Sequence, residues 1–485
     1  MALAAVLTQT LVPARTGGVV PVAELLIGES LATAVVREVR ERRVIERPRA
    51  PVGLLLVLGQ LHFEQAGEQG GVAVWAHVGG FIAGVIFGLI GRTIGISRER
   101  LLGGDGVSER VKVVNHAADA AAVPIELELG ADGADIFEVR GYPREGRGRL
   151  LPVAVTERRV TFRYIGLDGV ERMTHIAFSE PAEMVEPIDH ALPDGSNSGA
   201  AVRLRWTLRM GSGETKILSW TIWCTDRAAS ADLDDEPTTA AQQAALFPSV
   251  PRVSPDEGAA AYHAWERGTA SVDSDHDLFN LVIKRSVSDL RLLINEGPGE
   301  DQRYVSAGVP WFTTLFGRDS LISAFQALAF RPQIAVEILD VLAAYQATHD
   351  DPFRDAEPGK ILHELRTGEM ARSGELPHTP YYGSVDSTPL WLILLGATFD
   401  WTGDRGMVDR LWPHALAALE WIDTYGDRDG DGFVEYERRS DGLENQSWKD
   451  SGDSQRFHDG TLALPPIAPA EVQGYVHDAK VRLAE

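Results

Sequence analysis

A polar loop bounded by glycines, GLENQSWKDSGD from Gly442 to Asp453, combines residue types suited to holding a sugar ring beside an acid. Trp448 offers a flat apolar face, Lys449 adds a positive charge, and Gln446 supplies a neutral hydrogen-bond partner. Burial of the Asp450 carboxyl against the indole would keep it protonated near neutral pH, as a general acid requires. The alternative is a solvated loop whose tryptophan packs inward and whose aspartate caps the next turn.

The run VPWFTTLFGRDS, which begins at Val309, holds a second set of polar and aromatic residues. Arg318 and Asp319 together present a fork of donors and acceptors that suits vicinal hydroxyl groups. Trp311 or Phe312 would then form the floor on which a ring stacks. The alternative is structural, with Asp319 as the N-cap of the following helix and Arg318 as its ion-pair partner.

Two further runs add charged and aromatic candidates. Tyr382 and Asp386 lie in PYYGSVDSTPLW, a loop bounded by proline and glycine, and we expect them at the rim of a site. HELR at 363–366 and the nearby Glu369 form a charged cluster. Because HELR is not the HExxH of a zinc protease, we assign no metal to it.

The segment DRDGDGFVEYER, residues 427–438, has the acidic residues and the glycine of a calcium loop at its first six positions. Arg438 stands where such a loop needs a bidentate glutamate, which disfavours calcium of ordinary affinity. We therefore predict a tight interhelical turn that orients Glu435 and Tyr436. We predict no metal and no other cofactor for the chain.

Five runs occur in register along the second half of the chain: VPWFTTLFGRDSLISA, PGKILHELRTGEMA, PYYGSVDSTPLW, DGDGFVEY and EVQGYVHDAK. Together they resemble the bacterial amylo-α-1,6-glucosidases, relatives of the glycogen-debranching enzymes, over residues 97–485. The resemblance implies a β-sandwich followed by a glucoamylase-like (α/α)6 barrel, and hydrolysis of α-glucosidic bonds. It implies that Asp450 is the general acid and that Arg318 and Asp319 hold the terminal glucose. Glu471 and Gln473 of EVQGY join the implied substrate-binding set.

Hydrophobic patterning predicts a multidomain β + α chain. Between residues 97 and 225, short runs of alternating apolar and polar residues predict the antiparallel strands of a sandwich: VKVVNH, PIELELG, ADIFEVRG, RRVTFRYIG, AVRLRWTLRMG and KILSWTIWC. We place the β-sandwich at 96–226, an exposed connector at 227–272, and the helical catalytic domain at 273–485.

Apolar residues at helical spacing predict about six helices in the last domain, at 274–295, 319–330, 332–348, 388–401, 404–425 and 468–485. Six helices are half of what an (α/α)6 barrel needs, so we predict an incomplete barrel. In the resembled family the general base lies well downstream of the acid, in a part that would follow Glu485. Glu471 and Glu369 are the candidates within this chain for the base of an inverting site, and neither matches the family's base.

Residues 1–95 differ from the rest, and we predict that they are foreign to it. Residues 70–91, GGVAVWAHVGGFIAGVIFGLIG, have the length and composition of a transmembrane helix, with His77 as the one strongly polar side chain. The run AHVGGFIAG resembles the last membrane helix of rhomboid proteases, in which such a histidine pairs with a serine. Because the GxSG nucleophile motif of those proteases is absent, we predict an apolar helix without protease activity.

Composition limits the partners and the compartment. The net charge of -24, from 46 basic and 70 acidic residues, argues against nucleic acid or anionic membranes and leaves neutral polymers open. The single cysteine, Cys224, excludes an intramolecular disulfide and fits a reducing compartment, so we expect a cytoplasmic protein.

Three hypotheses follow. The first is an inverting glycoside hydrolase of the amylo-α-1,6-glucosidase type that acts on α-glucans through Asp450 and lacks its general base in this chain. The second is an α-glucan-binding fragment without catalysis. The third is a protein anchored in a membrane through residues 70–91.

Overall fold

The computed structural model describes residues 5–13, 19–27, 54–57, 82–84, 94–103, 106–191, 197–229, 246–297 and 302–484. The chain divides into two units, Met1–Ala261 and Tyr262–Glu485. The first is built mainly of strands and the second mainly of helices. An antiparallel β domain and a helical region are thereby confirmed, while the finer boundaries at 96, 226 and 273 stay predictions.

Strands make up most of the first unit. Its elements are β1 (Ala5–Pro13), β2 (Val19–Ile27), β3 (Leu54–Val57), β4 (Ile82–Gly84), β5 (Ile94–Leu102), β6 (Val107–Asn115), β7 (Ala121–Ala131), α1 (Ile136–Val139), β8 (Arg149–Thr156), β9 (Arg159–Ile165), β10 (Val170–Phe178), β11 (Met184–Ala191), β12 (Asn197–Met210), β13 (Thr215–Ala228) and α2 (Pro255–Arg267), which continues into the second unit.

Two sheets enclose the core of the first unit. One has the strand order β4-β5-β6-β13-β10-β9-β8 and the other β11-β12-β7-β3, with β3 and β7 parallel. Every second residue of β6 and β7 is buried, as expected for strands with one apolar face. Val111 and Trp220 of the larger sheet share one core with Leu127 and Leu204 of the smaller sheet. The two sheets therefore pack face to face as a sandwich.

Part of the segment predicted to be foreign contributes to these sheets. β3 pairs with β7, and β4 pairs with β5. Because Ile82–Gly84 is a strand, the helix predicted over 70–91 is wrong at these residues, and the rest of it, including His77, lies outside the described residues. Among the residues that the structure describes, we find no helix with the length and apolar character needed to cross a membrane.

The run ADIFEVRG, predicted as a strand, forms the short helix α1 instead. Asp135 accepts a hydrogen bond from Phe137 N at 2.9 Å, and Glu138 accepts one from Asp135 N at 2.8 Å. This reciprocal capping box satisfies the free amides of a helical turn. The short-range bonds outweigh the weak alternation of the run.

The second unit contains two pairs of short strands and seven further α-helices among its described residues. They are α3 (Asp277–Leu293), β14 (Ile294–Glu296), β15 (Arg303–Val305), β16 (Leu315–Phe316), α4 (Gly317–Ala327), α5 (Gln333–Ala344), β17 (Glu364–Leu365), α6 (Glu369–Arg372), α7 (Ser387–Thr402), α8 (Arg405–Trp421) and α9 (Ala470–Ala484).

All six predicted helices are present, as α3, α4, α5, α7, α8 and α9. Helices α5 and α7 contribute much of the core of this unit, with Ile338, Leu342, Trp391 and Leu394 almost fully buried. α7 is apolar around most of its circumference, which is typical of a helix inside a domain. The first turns of α4 and α7 lie beside the pair β16–β17, where the candidate site is found. The closed or incomplete ring of an (α/α)6 barrel stays a prediction.

Candidate active site

Arg318 is the point at which three separate segments of the second unit meet. Its Nη1 lies 2.9 Å from Asp386 Oδ2, and its Nη2 lies 3.4 Å from Asp450 Oδ2. Arg318 itself is 7% exposed. A guanidinium holds its donors in a planar fork, so it orients the two carboxylates relative to each other. Residues from three separate sequence motifs are thus in contact.

Gly317 allows the first turn of α4 to place Arg318 close to its neighbours. A Cβ atom on Gly317 would lie 2.1 Å from Leu362 O and 2.8 Å from Ser387 Oγ. The Gly317 amide donates a hydrogen bond to His363 O at 2.9 Å. Only glycine fits between these groups, because any side chain would enter the space of the Leu362 carbonyl.

Asp386 is fully buried, so its predicted place at the rim is wrong. Its Oδ1 accepts a hydrogen bond from Ser384 Oγ at 2.6 Å, and its Oδ2 accepts one from Arg318. Ser384 Oγ also lies 2.6 Å from Ser387 Oγ. Buried charges need a partner and hydrogen bonds. Asp386 therefore acts as the internal counter-ion of Arg318.

Asp319 lies in the first turn of α4, next to Arg318. The helix begins two residues earlier, so the alternative in which Asp319 is its N-cap is wrong. Burial raises the pKa of Asp319; the Arg318 guanidinium opposes this, while the charges of Asp450 and Asp386 raise that pKa further. The Asp319 carboxyl is thus influenced by the Arg318 guanidinium and by two further carboxylates.

The loop of residues 442–453, called the acid loop below, has a buried half and an exposed half. Asn445, Gln446 and Ser447 are 5%, 1% and 0% exposed. Trp448 is 55% exposed, and the side chain of Asp450 is 48% exposed. The predicted burial of the acid against the indole is therefore wrong. The buried half holds the loop to the domain, and its tip meets solvent.

Lys449 and Trp448 form a pair at the tip of the acid loop. The Lys449 Nζ lies 5.2 Å from the centroid of the Trp448 ring, within the range of a cation–π contact. The ammonium lies over one face of the indole, and an exposed indole offers an apolar surface on which a sugar ring can stack. The exposure of Trp448 contradicts the alternative in which this ring packs inward.

Phe312 and Trp311 lie just before α4. The Phe312 side chain is 43% exposed, and its ring centroid lies 5.9 Å from that of Phe316 in an edge-on arrangement. Trp311 is partly buried, and its carbonyl accepts a hydrogen bond from Arg366 Nη2 at 2.9 Å. Phe312 is therefore the more accessible of the two predicted stacking residues.

Two residues assigned to the substrate site form hydrogen bonds with backbone groups of the second unit. Tyr382 is 6% exposed, and its hydroxyl donates a hydrogen bond to Tyr345 O at 2.7 Å. Gln473 accepts from Val434 N at 2.8 Å and donates to Val434 O at 2.7 Å. Both side chains form hydrogen bonds with backbone groups, and their contact with a substrate stays a prediction.

The two candidate bases differ in their access to solvent. Glu369 in α6 is 1% exposed. Glu471 lies in the first turn of α9 and is partly exposed. Burial raises the pKa of Tyr475, and the charges of Asp386 and Glu471 raise it further. Glu471 and the Arg318–Asp386 ion pair thus both influence the pKa of the Tyr475 phenol in α9.

The HELR run forms a buried charge network at β17. Glu364 and Arg366 are 7% and 1% exposed and form an ion pair. Burial opposes ionisation of Glu364, yet the charges of Arg366 and His378 hold its pKa below the usual value. Burial lowers the pKa of His363 to about 3, so this ring is neutral at physiological pH. The network stabilises the strand that supports Arg318.

The segment Asp427–Glu435 forms a tight turn. Asp427 accepts hydrogen bonds from Gly430 N at 2.9 Å and Gly432 N at 3.1 Å, and Glu435 accepts one from Arg428 N at 3.0 Å. These bonds agree with the predicted turn. Four carboxylates nevertheless bring ligand atoms within 4.8 Å of one another, which would suit a cation: Asp427, Asp429, Asp431 and Glu435.

Sequence inspection missed Asp355, which is 1% exposed. Its Oδ2 accepts hydrogen bonds from Tyr381 OH at 3.0 Å and from Gln446 Nε2 at 3.2 Å. Gln446, predicted as a substrate contact, is therefore an internal link to the acid loop. The available signal was RDAEPGK, in which charged residues surround a Pro-Gly pair just before β17.

Residues 87–221 match the sequence model of the N-terminal domain of some glycogen debranching enzymes. The match covers β5 to β12 and the first half of β13, leaves out β3 and β4, and begins within the segment predicted to span a membrane. It supports a glycoside hydrolase-like family for this chain, and the resemblance to rhomboid proteases finds no support. No curated protein matches the chain.

Several solved structures are similar at low identity. A putative kojibiose phosphorylase from the human microbiome has 9% identity over 72% of this chain, with a TM-score of 0.45, and the chain spans 45% of its length. An inverting mannosidase of family GH92 from Bacteroides thetaiotaomicron has 9% identity over 80% of this chain and 49% of its own, with a TM-score of 0.27. Both TM-scores lie below 0.5.

Proposed function

We propose that the second unit binds α-glucans and hydrolyses α-glucosidic bonds, as an inverting enzyme of the amylo-α-1,6-glucosidase type with Asp450 as its general acid. The contact of Arg318 with both Asp386 and Asp450 carries this proposal. This contact places Arg318, which the resemblance assigns to binding of the terminal glucose, next to Asp450, which it assigns as the general acid. The family match over residues 87–221 supports the same enzyme class.

In the proposed mechanism, Asp450 donates a proton to the glycosidic oxygen as the bond to the anomeric carbon breaks. A water molecule attacks that carbon from the opposite face, and a second carboxylate about 6.5–9.5 Å away takes its proton. Glu471 is the candidate for this role because it is partly exposed, whereas the burial of Glu369 keeps it away from a water nucleophile.

Binding in this proposal divides between charged and aromatic groups. Arg318 and Asp319 hold the hydroxyls of the terminal glucose, since a guanidinium and a carboxylate form charge-assisted hydrogen bonds. Trp448 and Phe312 supply apolar faces, since both rings are substantially exposed. Stacking on such rings suits the apolar face of a glucose unit.

Glucose release from isomaltose and maltose tests the catalytic proposal. Any glucose released by the unaltered chain should appear first as β-glucose, as inversion requires, and this release should be lost in Asp450→Asn. Loss in Glu471→Gln as well would show that Glu471 supplies the general base that the sequence predicts to be missing from this chain. Asp453→Asn is the matched control, because Asp453 lies in the same loop with a side chain that is 75% exposed. Unchanged hydrolysis by Asp450→Asn would refute the assignment of the acid.

One observation favours a second candidate, α-glucan binding without turnover. The Asp450 side chain is 48% exposed, whereas the general acid of a glycosidase typically stands in an apolar pocket. This candidate predicts that the unaltered chain and Asp450→Asn bind isomaltose with equal affinity in calorimetric titration, and that neither releases glucose.

A further inference from the structure

We propose that Asp355 is the positioning residue of the acid loop: its buried carboxylate fixes residues 439–446 and thereby sets the place of Asp450. The proposal deepens the proposed function and rests on it, because it takes Asp450 as the acid. Asp355 acts through the loop and touches no reacting atom.

The carboxylate of Asp355 gathers four donors from two parts of the chain. Oδ1 accepts from Arg439 N at 2.7 Å. Oδ2 accepts from Tyr381 OH at 3.0 Å, Ser440 Oγ at 2.7 Å and Gln446 Nε2 at 3.2 Å. Three of these donors belong to residues 439–446, which lead directly into the tip of the acid loop.

The backbone of Asp355 is itself held in an uncommon conformation. Its φ of 52° lies in the left-handed region, which costs most residues free energy. Such a conformation persists where the surroundings determine it, and such sites are often functional. The Lys360 ammonium, which is buried, donates to the Asp355 carbonyl at 3.1 Å and supports this conformation.

Tyr381 connects Asp355 to the start of the acid loop through its hydroxyl group. Its hydroxyl donates to Asp355 and accepts from Leu443 N at 2.8 Å. A Cβ atom on Gly442 would lie 2.2 Å from this hydroxyl, so glycine lets the loop lie directly on the phenol. Burial raises the pKa of Tyr381, and the negative charge of Asp355 raises it further, so the hydroxyl keeps the proton that it donates.

Asn445 holds the part of the acid loop that directly follows Asp450. Its Nδ2 donates to Ser451 O at 2.6 Å, and its Oδ1 accepts from Tyr436 OH at 3.0 Å. Asn445 therefore closes the turn that contains Asp450, while the adjacent Gln446 is tied to Asp355. The half-exposed acid thus stands on a short loop whose two ends are both fixed to buried groups.

A carboxylate suits this position because it offers only acceptors. Asp355→Asn replaces one oxygen by an NH2 group, which leaves at least one of the four donors without an acceptor. The control is Asp350→Asn: Asp350 accepts from Arg439 Nη1 at 2.7 Å, but its side chain is 53% exposed. Both substitutions thus change a carboxylate that contacts Arg439.

Amide hydrogen exchange of the full chain, read by mass spectrometry, tests the proposal. In Asp355→Asn we expect residues 439–456 to exchange roughly tenfold faster, the equivalent of one lost hydrogen bond, while α5 and α7 keep their protection. Asp350→Asn should match the unaltered chain. Ser440→Ala removes one donor and keeps the carboxylate, so it should give a smaller increase in the same residues.

Kinetics on isomaltose supply the second readout. Because Arg318 and Asp319 are not altered, whereas Asp450 and the stacking residue Trp448 both lie on the loosened loop, Asp355→Asn should lower kcat by a larger factor than it raises KM. Equal loss of protection in α5, α7 and residues 439–456 would show a general structural role and overturn the proposal, as would unchanged exchange in residues 439–456. If the unaltered chain neither binds nor hydrolyses isomaltose, the proposed function fails, and the exchange data still decide whether Asp355 holds the loop.

Discussion

Arg318 and Asp386 form an ion pair in which the side chains are 9% and 0% exposed and the Nη1–Oδ2 distance is 2.9 Å. Breaking a buried pair leaves one charge without compensation, which typically costs about 3–5 kcal/mol. The same guanidinium reaches the half-exposed Asp450 at 3.4 Å. The stability of this unit and the geometry of its site therefore depend on one side chain.

Arg318→Lys should weaken isomaltose binding by at least about tenfold and lower the melting temperature, because an ammonium cannot serve two carboxylates with the fork of a guanidinium. Calorimetric titration and thermal unfolding measure the two effects. Arg410→Lys is the control, since its pair with Asp340 is 52% and 32% exposed and should matter little. Full affinity in Arg318→Lys would remove Arg318 from the site.

Asp319→Asn should abolish a pH dependence of glucan binding. If Asp319 accepts sugar hydroxyls as a carboxylate, affinity is complete above its raised pKa and is lost as the pH falls through that value. Because burial raises this pKa, the loss should begin at a higher pH than for an ordinary aspartate. Titrations across the acid range should show this loss in the unaltered chain and a flat, weaker profile in Asp319→Asn. The same loss in both proteins would assign it to another group.

Gly317→Ala should destabilise the protein by roughly 1–3 kcal/mol, as overpacking does, because the new methyl group would meet Leu362 O. Chemical denaturation measures the change in the free energy of unfolding. Gly474→Ala in α9 is the matched control, since its Cβ would meet nothing within 4 Å, and alanine should stabilise that helix. Equal effects at both positions would contradict the close approach at Gly317.

His175 should make the first unit less stable in acid. Its ring nitrogens lie 3.0 Å from Thr161 Oγ1 and 2.9 Å from Thr225 Oγ1, and burial, followed by the charge of Arg159, lowers its pKa to about 4. The unfolded state, with a pKa near 6.5, binds the proton first, so stability is complete above about pH 6.5 and falls toward pH 4.

We expect up to about 3 kcal/mol of this loss to come from His175. His175→Gln should therefore flatten the dependence of the free energy of unfolding on pH between 4 and 6.5. His263→Gln is the control, because the His263 side chain is 69% exposed. A dependence that is unchanged in His175→Gln would show that other groups titrate on unfolding.

Local pattern predicted the helices of the second unit well. α7 and α8 have strong apolar repeats, and they begin and end within a few residues of the predicted bounds. Alternation likewise predicted the strands of the sandwich. It failed at Asp135–Glu138, where side-chain capping of a single turn decides the structure. Pairing of β3 with the distant strand β7 was equally invisible, because it depends on a partner far along the chain.

The candidate site was predicted in composition but not in its arrangement. Motifs indicated Arg318 and Asp450, yet whether Asp386 faces the rim or the interior depends on Ser384 and the guanidinium that reach it in the fold. Gln446 was misassigned for the same reason, since its partner Asp355 is far away in sequence. Sequence spacing alone does not indicate which of two polar side chains is buried and hydrogen-bonded inside the domain and which is free to contact a substrate.

Arg318 contacts Asp386 and Asp450 across sequence separations of 68 and 132 residues. Closing such long loops costs entropy, and this cost must be met before the contacts can form. Helices α4 and α5, by contrast, lie next to each other in the chain and need only local contacts. We therefore expect the contacts of Arg318 to form late during folding, so that a partly folded chain with most of its helices in place would still lack them.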